Sequence, residues 1–124
     1  MITIYLLNAI LIGHFMADFL FQNQFLKHKN ESLLWMSLHS IIYGLIFGMI
    51  FYAATYKLYD TNLIQYYIIL NTILHYAVDV ITTIIRKQMW KADDLPMNGF
   101  FPTIGFDQLL HLLILYHTFV FMFN

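Results

Sequence analysis

His14, Asp18 and Gln22 recur at every fourth residue in the stretch G-H-F-M-A-D-F-L-F-Q, residues 13–22. A four-residue step turns a helix by about 40°, so one stripe carries all three. Similar stripes follow: His39 and Tyr43, then Asn71, His75, Asp79 and Thr83, then Asp107 and Gln108 with His111. Imidazole and carboxylate without thiolate, since the chain has no cysteine, suit Zn²⁺, Mn²⁺ or Fe²⁺ and disfavour Cu⁺. A catalytic zinc takes about three protein ligands and keeps one position open. His14, Asp18, His39, His75, Asp79, Asp107 and His111 exceed that need and suit one or two divalent ions, two of them sharing a bridging carboxylate or hydroxide. Two divalent cations would balance three aspartates and one hydroxide, the near-neutral sum that a low-dielectric site favours. Asp18, Asp79 and Asp107 are also the candidate catalytic proton acceptors. Gln22, Tyr43, Asn71, Thr83 and Gln108 are the expected hydrogen-bonding supports of the ligands.

The elements that must position these groups follow from composition. The chain is 60% hydrophobic and 10% charged, far below the roughly 25% charge of a soluble domain. Four apolar runs, about 2–26, 32–56, 61–86 and 103–123, each approach or exceed the about 20 residues that a membrane-spanning helix needs. The second run holds no Lys, Arg, Asp or Glu, and the third and fourth hold one acid each, Asp79 and Asp107. The first run lacks a basic leader and a small-residue cleavage site, so it reads as a retained span. Pro96 and Asn98-Gly99 are turn signals in the longest connection, and Pro102 marks the start of the fourth helix. The expected fold is all-α, a single domain over 1–124 forming a four-transmembrane-helix antiparallel bundle.

Lys27, Lys29, Arg86, Lys87 and Lys91 fall in the first and third connections, against Lys57 alone in the second. The positive-inside rule then puts those two loops in the cytoplasm and both termini outside. In depth, at about 1.5 Å per residue, every aspartate of a pair falls on the cytoplasmic side of its histidine. The odd spans read His then Asp and the fourth reads Asp then His, so antiparallel packing gathers seven groups in one layer. His28, in the basic loop, and His117, about 120° off the stripe of His111, fall outside it.

The motifs G-H-F-x-A-D-F-x-x-Q, the lone His39, H-x-x-x-D at His75–Asp79 and F-D-Q-x-x-H at 106–111 resemble a family of small bacterial and phage membrane proteins catalogued only as a domain of unknown function. The pattern is similar, more loosely, to His/Asp-rich membrane-bound metal-dependent hydrolases. The resemblance covers nearly the whole chain and implies a shared polar site in a bacterial inner membrane, without supplying a reaction. Members often carry a second His four residues after the position matched by His39. Here Tyr43 stands there, so the second span gives one ligand or two.

Three functions remain open at this level. The first is a metal-dependent hydrolase acting on a membrane-associated substrate reached from the cytoplasm. The second is a divalent-metal or proton transporter or channel, which in four helices would call for a homo-oligomer. The third is a structural membrane protein in which Asp18–His14, Asp79–His75 and Asp107–His111 are internal pairs. The lipid bilayer is the expected partner in all three. A net charge of -1 gives no footing for a nucleic-acid partner.

Overall fold

The computed structural model describes residues 4–20, 32–89 and 97–124. Among them every regular element is a helix, without strands. Helix α1 spans Ile4–Phe15 and continues into a π-helical segment, Met16–Leu20. Helix α2 spans Leu33–Thr55, α3 spans Thr61–Met89 and α4 spans Met97–Phe123. Neither proline falls in 33–89, so nothing removes a backbone donor from α2 or α3.

Local chemistry sets the ends that matter. Ser32 caps α2, its hydroxyl oxygen accepting from the Trp35 amide at 3.3 Å. Asp60 caps α3, with one carboxylate oxygen accepting from the amides of Asn62 and Leu63 at 2.9 and 3.2 Å. Both side chains satisfy amides that a helix leaves without intrahelical partners. The five residues between α2 and α3 turn the chain back on itself, held by Leu58 and Tyr59 amides donating to the Thr55 carbonyl.

The expected boundaries shift in two places. Helix α3 runs on to Met89, and α4 begins at Met97 rather than near 103. Asn98 and Gly99, read above as turn signals, are therefore helical, and Pro102 lies in the second turn of α4. A proline there removes one intrahelical bond, which a helix of 27 residues tolerates near its start. The part of the first span expected over 21–26 lies outside the described residues, as do Gln22 and His28.

Around the molecule, α1 packs on α2 and α4, α2 on α3, and α3 on α4. The closest approach is at Gly44, where an added Cβ would meet Thr72 Cγ2 at 2.8 Å. At Gly48 it would meet Ile68 at 3.0 Å. This small-residue pair lets α2 and α3 lie close, as small residues do between helices in lipid.

The interior has two storeys. One is apolar: Leu6 and Ile10 of α1, Phe47 and Phe51 of α2, Ile64 and Tyr67 of α3, and Leu115 and Phe119 of α4. Its rings interlock, with Phe51–Tyr67 and Phe119–Phe123 centroids 4.6 and 4.8 Å apart. The other storey lies where α1 ends, α2 begins and α4 enters, and it is polar: His14, Asp18, His39, His75, Asp79 and His111 are all buried.

The outside is the reverse of a soluble protein's surface. Large apolar side chains stand exposed on every helix, among them Leu45, Met49, Ile73 and Phe121. Among the described residues three helical stretches are long and apolar enough to cross a membrane: Leu33–Thr55, Thr61–Gln88 and Ile104–Phe123. Ile4–Leu20 is apolar and shorter.

Candidate metal centre

Each helix brings its polar stripe to the same storey. Helix α1 delivers His14 in its last turn, and the π-helical segment that follows presents Asp18. A π turn bonds to the fifth residue and widens the helix, a local geometry frequent at functional sites. Helix α2 supplies His39 and Tyr43, α3 supplies His75 and Asp79, and α4 supplies Asp107, Gln108 and His111.

Four ligand atoms from three elements form one tight group. His39 Nε2 lies 3.2 Å from His75 Nε2, 3.0 Å from Asp18 Oδ1 and 3.4 Å from Asp79 Oδ2. His75 Nε2 lies 3.6 Å from Asp18 Oδ1 and 3.4 Å from Asp79 Oδ2. Ligand atoms about 2.0–2.2 Å from an ion at tetrahedral angles stand about 3.3–3.6 Å apart. The five separations, from 3.0 to 3.6 Å, bracket that range. A single hydrogen between two imidazole nitrogens satisfies one of these contacts, whereas a cation among the four atoms satisfies all of them.

A second group adjoins the first. His111 Nε2 lies 3.4 Å from Asp79 Oδ1 and 3.6 Å from Asp107 Oδ2. This nitrogen is buried and makes no hydrogen bond among the described residues. Asp79 therefore turns one oxygen to each group, the disposition of a bridging carboxylate. Three ligand sets emerge: Asp18, His75 and His111; His39, His75 and Asp79; and Asp79, Asp107 and His111. The buried His/Asp groups could hold a metal ion.

Burial sharpens the electrostatics. Asp79 is 0% exposed and Asp18 1%, while Asp107 retains 15% of its side-chain exposure. No Lys or Arg falls in 33–55, 61–85 or 97–123, so the carboxylates' neighbours in this storey are imidazoles. Buried carboxylates need a compensating charge, supplied either by protonated histidine or by a cation.

Of the seven sequence candidates, six enter these groups. His14 sits beside them with both ring nitrogens engaged: Nδ1 lies 3.1 Å from the Tyr43 hydroxyl, and Nε2 lies 2.9 Å from Gln108 Oε1. Tyr43 stacks on His75, centroids 3.8 Å apart and planes 5° from parallel, and His75 stacks in turn on His111 at 4.2 Å. Gln108 Nε2 donates to Asp18 Oδ2 at 2.9 Å and to Asp107 Oδ2 at 3.3 Å.

Thr82 was not singled out in the sequence, yet its hydroxyl donates to Asp107 Oδ1 at 2.6 Å. Its neighbour Thr83 lay on the stripe and was the expected support. Thr82 is one step off the stripe and turns toward α4 rather than the centre. Asn71, also expected nearby, belongs to the other storey. It donates to the Tyr67 carbonyl at 2.9 Å and accepts from Thr118 at 3.0 Å. His117 is exposed and donates to the Leu113 carbonyl of its own helix at 2.7 Å.

Residues 6–124 match the family described as a protein of unknown function, DUF3307. No curated protein and no solved structure matches the chain.

Proposed function

The chain belongs to this DUF3307 family of unknown function, and from that footing we propose that it is an integral membrane metalloprotein with a two-ion His/Asp centre, acting as a hydrolase. The single observation that carries the reading is the gathering of Asp18 Oδ1 and Asp79 Oδ2 within 3.0–3.6 Å of both His39 Nε2 and His75 Nε2, which themselves lie 3.2 Å apart. The four helices form an antiparallel bundle across the bacterial inner membrane, with lipid against the exposed apolar side chains. Both termini lie outside, because Arg86 and Lys87 end α3, the sequence puts Lys27, Lys29 and Lys91 in the same two connections, and this excess of basic residues would hold those connections in the cytoplasm.

The two positions are not equivalent. The first would be held by His39, His75 and Asp79 with Asp18 beside them, a more closed arrangement of the kind structural sites use. The second would be held by His111, Asp79 and Asp107, a three-ligand set that would leave a position for water. Bound divalent metal lowers the pKa of such a water toward neutrality. Asp107 is the residue placed to take the proton, on the Oδ1 that faces Thr82 rather than the Oδ2 that faces His111, since it alone of the three acids is partly exposed. An ion held by His111, Asp79 and Asp107 would supply activated water for attack on a phosphoryl or acyl ester, and Asp107 would return the proton it takes to the leaving oxygen as the ester bond breaks. The substrate is a phosphoester or acyl ester on a lipid or another membrane-associated molecule, reached from the cytoplasmic face.

A transport path is the weaker reading. Phe47, Phe51, Tyr67 and Phe119 fill the far storey, and its polar groups are bonded to one another: Tyr67 donates to the Leu115 carbonyl and Thr118 to Asn71. Such a plug favours access from one end only.

Elemental analysis of protein extracted after growth with Zn²⁺, Mn²⁺ or Fe²⁺ tests the centre. The expected result is one or two ions per chain. Less than about 0.2 ion per chain with every metal overturns the reading, since a centre of this kind binds far too tightly to be emptied by purification. Hydrolysis is tested on chromogenic phosphodiesters and acyl esters in detergent. Metal-loaded protein that cleaves neither, and carries metal flux into proteoliposomes, replaces hydrolase with transporter.

A further inference from the structure

We propose that His14 and Gln108 form a positioning pair that holds Asp18 and Asp107 as one-oxygen ligands, and that His14 is not itself a ligand. The inference rests on the two-ion reading above and specifies how that centre keeps its open position.

The amide of Gln108 fixes the direction of the whole relay. Its nitrogen lies between two carboxylate oxygens, Asp18 Oδ2 at 2.9 Å and Asp107 Oδ2 at 3.3 Å. A carboxamide has two N–H donors, so both contacts are satisfied at once. The opposite flip would set its oxygen against two anionic oxygens. With the nitrogen so placed, Gln108 Oε1 faces His14 Nε2 at 2.9 Å and must accept. The imidazole hydrogen therefore resides on Nε2, and Nδ1 accepts from the Tyr43 hydroxyl at 3.1 Å. Every member has its role determined by its neighbour. His14 and Tyr43 are 3% and 1% exposed, so no water competes for these bonds.

The consequence falls on the ligands. Asp18 has Oδ2 tied to Gln108, which leaves Oδ1 directed at His39 and His75, 3.0 and 3.6 Å away. Asp107 is held from both sides, Oδ1 by Thr82 and Oδ2 by Gln108, with Oδ2 also the oxygen facing His111. A carboxylate restrained in this way cannot swing to present both oxygens to one ion. Coordination numbers stay low, and the position at the His111 group is not filled by a second carboxylate oxygen. His14 has no lone pair left to offer, since Nε2 carries the hydrogen and Nδ1 is the acceptor for Tyr43. That separates it from the other three histidines of the storey.

Co²⁺ loading reads this out, because four-coordinate Co²⁺ absorbs visible light intensely and five- or six-coordinate Co²⁺ weakly. Wild type, His14→Ala, His14→Gln and Gln108→Met are each titrated with Co²⁺ in detergent. His14→Gln keeps an N–H able to reach Gln108 and is a poor metal ligand, so it separates the two roles. The expected result is intense bands for wild type and His14→Gln. His14→Ala and Gln108→Met should bind as many ions, with weakened bands and about 10–100-fold lower affinity.

If both histidine variants lose an ion, His14 is a ligand and the proposal is wrong. If all variants keep wild-type bands and affinity, the relay is packing and the proposal is equally wrong. Gln108→Met retains side-chain volume and decides the matter alone should His14→Ala not fold. A wild-type protein that binds no Co²⁺ refutes the metal centre itself, and this inference with it.

Discussion

Asp79→Asn distinguishes a metal centre from a set of buried ion pairs, because the two differ in how stability depends on a chelator. Asp79 is 0% exposed and places one oxygen 3.4 Å from both His39 and His75 and the other 3.4 Å from His111. Asparagine preserves the shape and removes one negative charge and one strong ligand oxygen. Structural zinc sites are worth about 10–16 kcal/mol over four ligands, or about 2.5–4 kcal/mol for each. At about 1.4 kcal/mol per tenfold, losing one such ligand weakens binding by roughly 10²–10³-fold at each ion it serves. An ion present at about 100 times its dissociation constant stabilises the folded state by about 2.7 kcal/mol, and that increment disappears. The metal-free variant should hold up well, since it no longer buries that carboxylate charge.

The assay is a thermal melt of wild type and variant in detergent, each with and without chelator, beside metal content. Wild type should melt lower once stripped of metal, and Asp79→Asn should melt at one temperature in both conditions. In the ion-pair alternative the substitution breaks buried pairs and costs about 3–5 kcal/mol whether chelator is present or not. A variant that purifies with a full complement of metal and melts as wild type does would show that Asp79 is no ligand.

Asp107→Asn should lose less metal and less stability than Asp79→Asn, because water reaches a side chain that is 15% exposed; equal losses on elemental analysis and melting would contradict its place at the rim. Gly44→Ala should cost about 1–3 kcal/mol by overpacking, since the new methyl would overlap the side chain of Thr72; an unshifted melt would mean that α2 and α3 separate freely there. The chain has no cysteine, so Lys29→Cys and Asp60→Cys can each be labelled singly in intact cells and inverted vesicles. They should react from opposite sides, and same-side labelling would overturn the proposed topology.

Much of this arrangement is legible in the sequence, and the reasons are specific. Long apolar stretches with isolated acids specify helices whose polar side must turn inward, because no other environment tolerates Asp79 or Asp18. The order His–Asp in α1 and α3 and Asp–His in α4 puts all the carboxylates at one end for any antiparallel packing. What spacing could not supply is rotation and local backbone. His14 and Asp18 share a stripe on an ideal α-helix, yet the chain passes into a π-helical segment between them. The two residues then take different roles, one facing Gln108 and the other facing His39 and His75. Thr82 and Thr83 differ by one residue, and only the position of α4 decides which meets Asp107. Asn71 fits the α3 stripe by periodicity, but the stripe crosses from one storey to the other between 71 and 75. Depth, rather than phase, gives Asn71 to Thr118.

The division of the interior into two storeys also bears on what the molecule can do. In the bilayer proposed for it no hydrophobic force would drive the helices together, so cohesion would come from close packing and interhelical hydrogen bonds. The aromatic storey supplies the first, through Phe51, Tyr67, Phe119 and Phe123 in mutual contact. The polar storey supplies the second, and its bonds tie α1 to α2 and α4 through His14, and α3 to α4 through Thr82 and Asp107. One set of buried groups thus joins the helices and could also hold a metal ion. Such a centre should be lost and gained with the fold of its storey, while the aromatic half persists. Chelation should therefore raise hydrogen exchange in α1 near His14 and Asp18 and in the first turns of α2, and leave the amides near Phe51 and Tyr67 protected. Uniform loosening of both storeys would mean that the ions stabilise the whole bundle as one cooperative unit. No change in either storey would mean that the polar storey holds itself together without them.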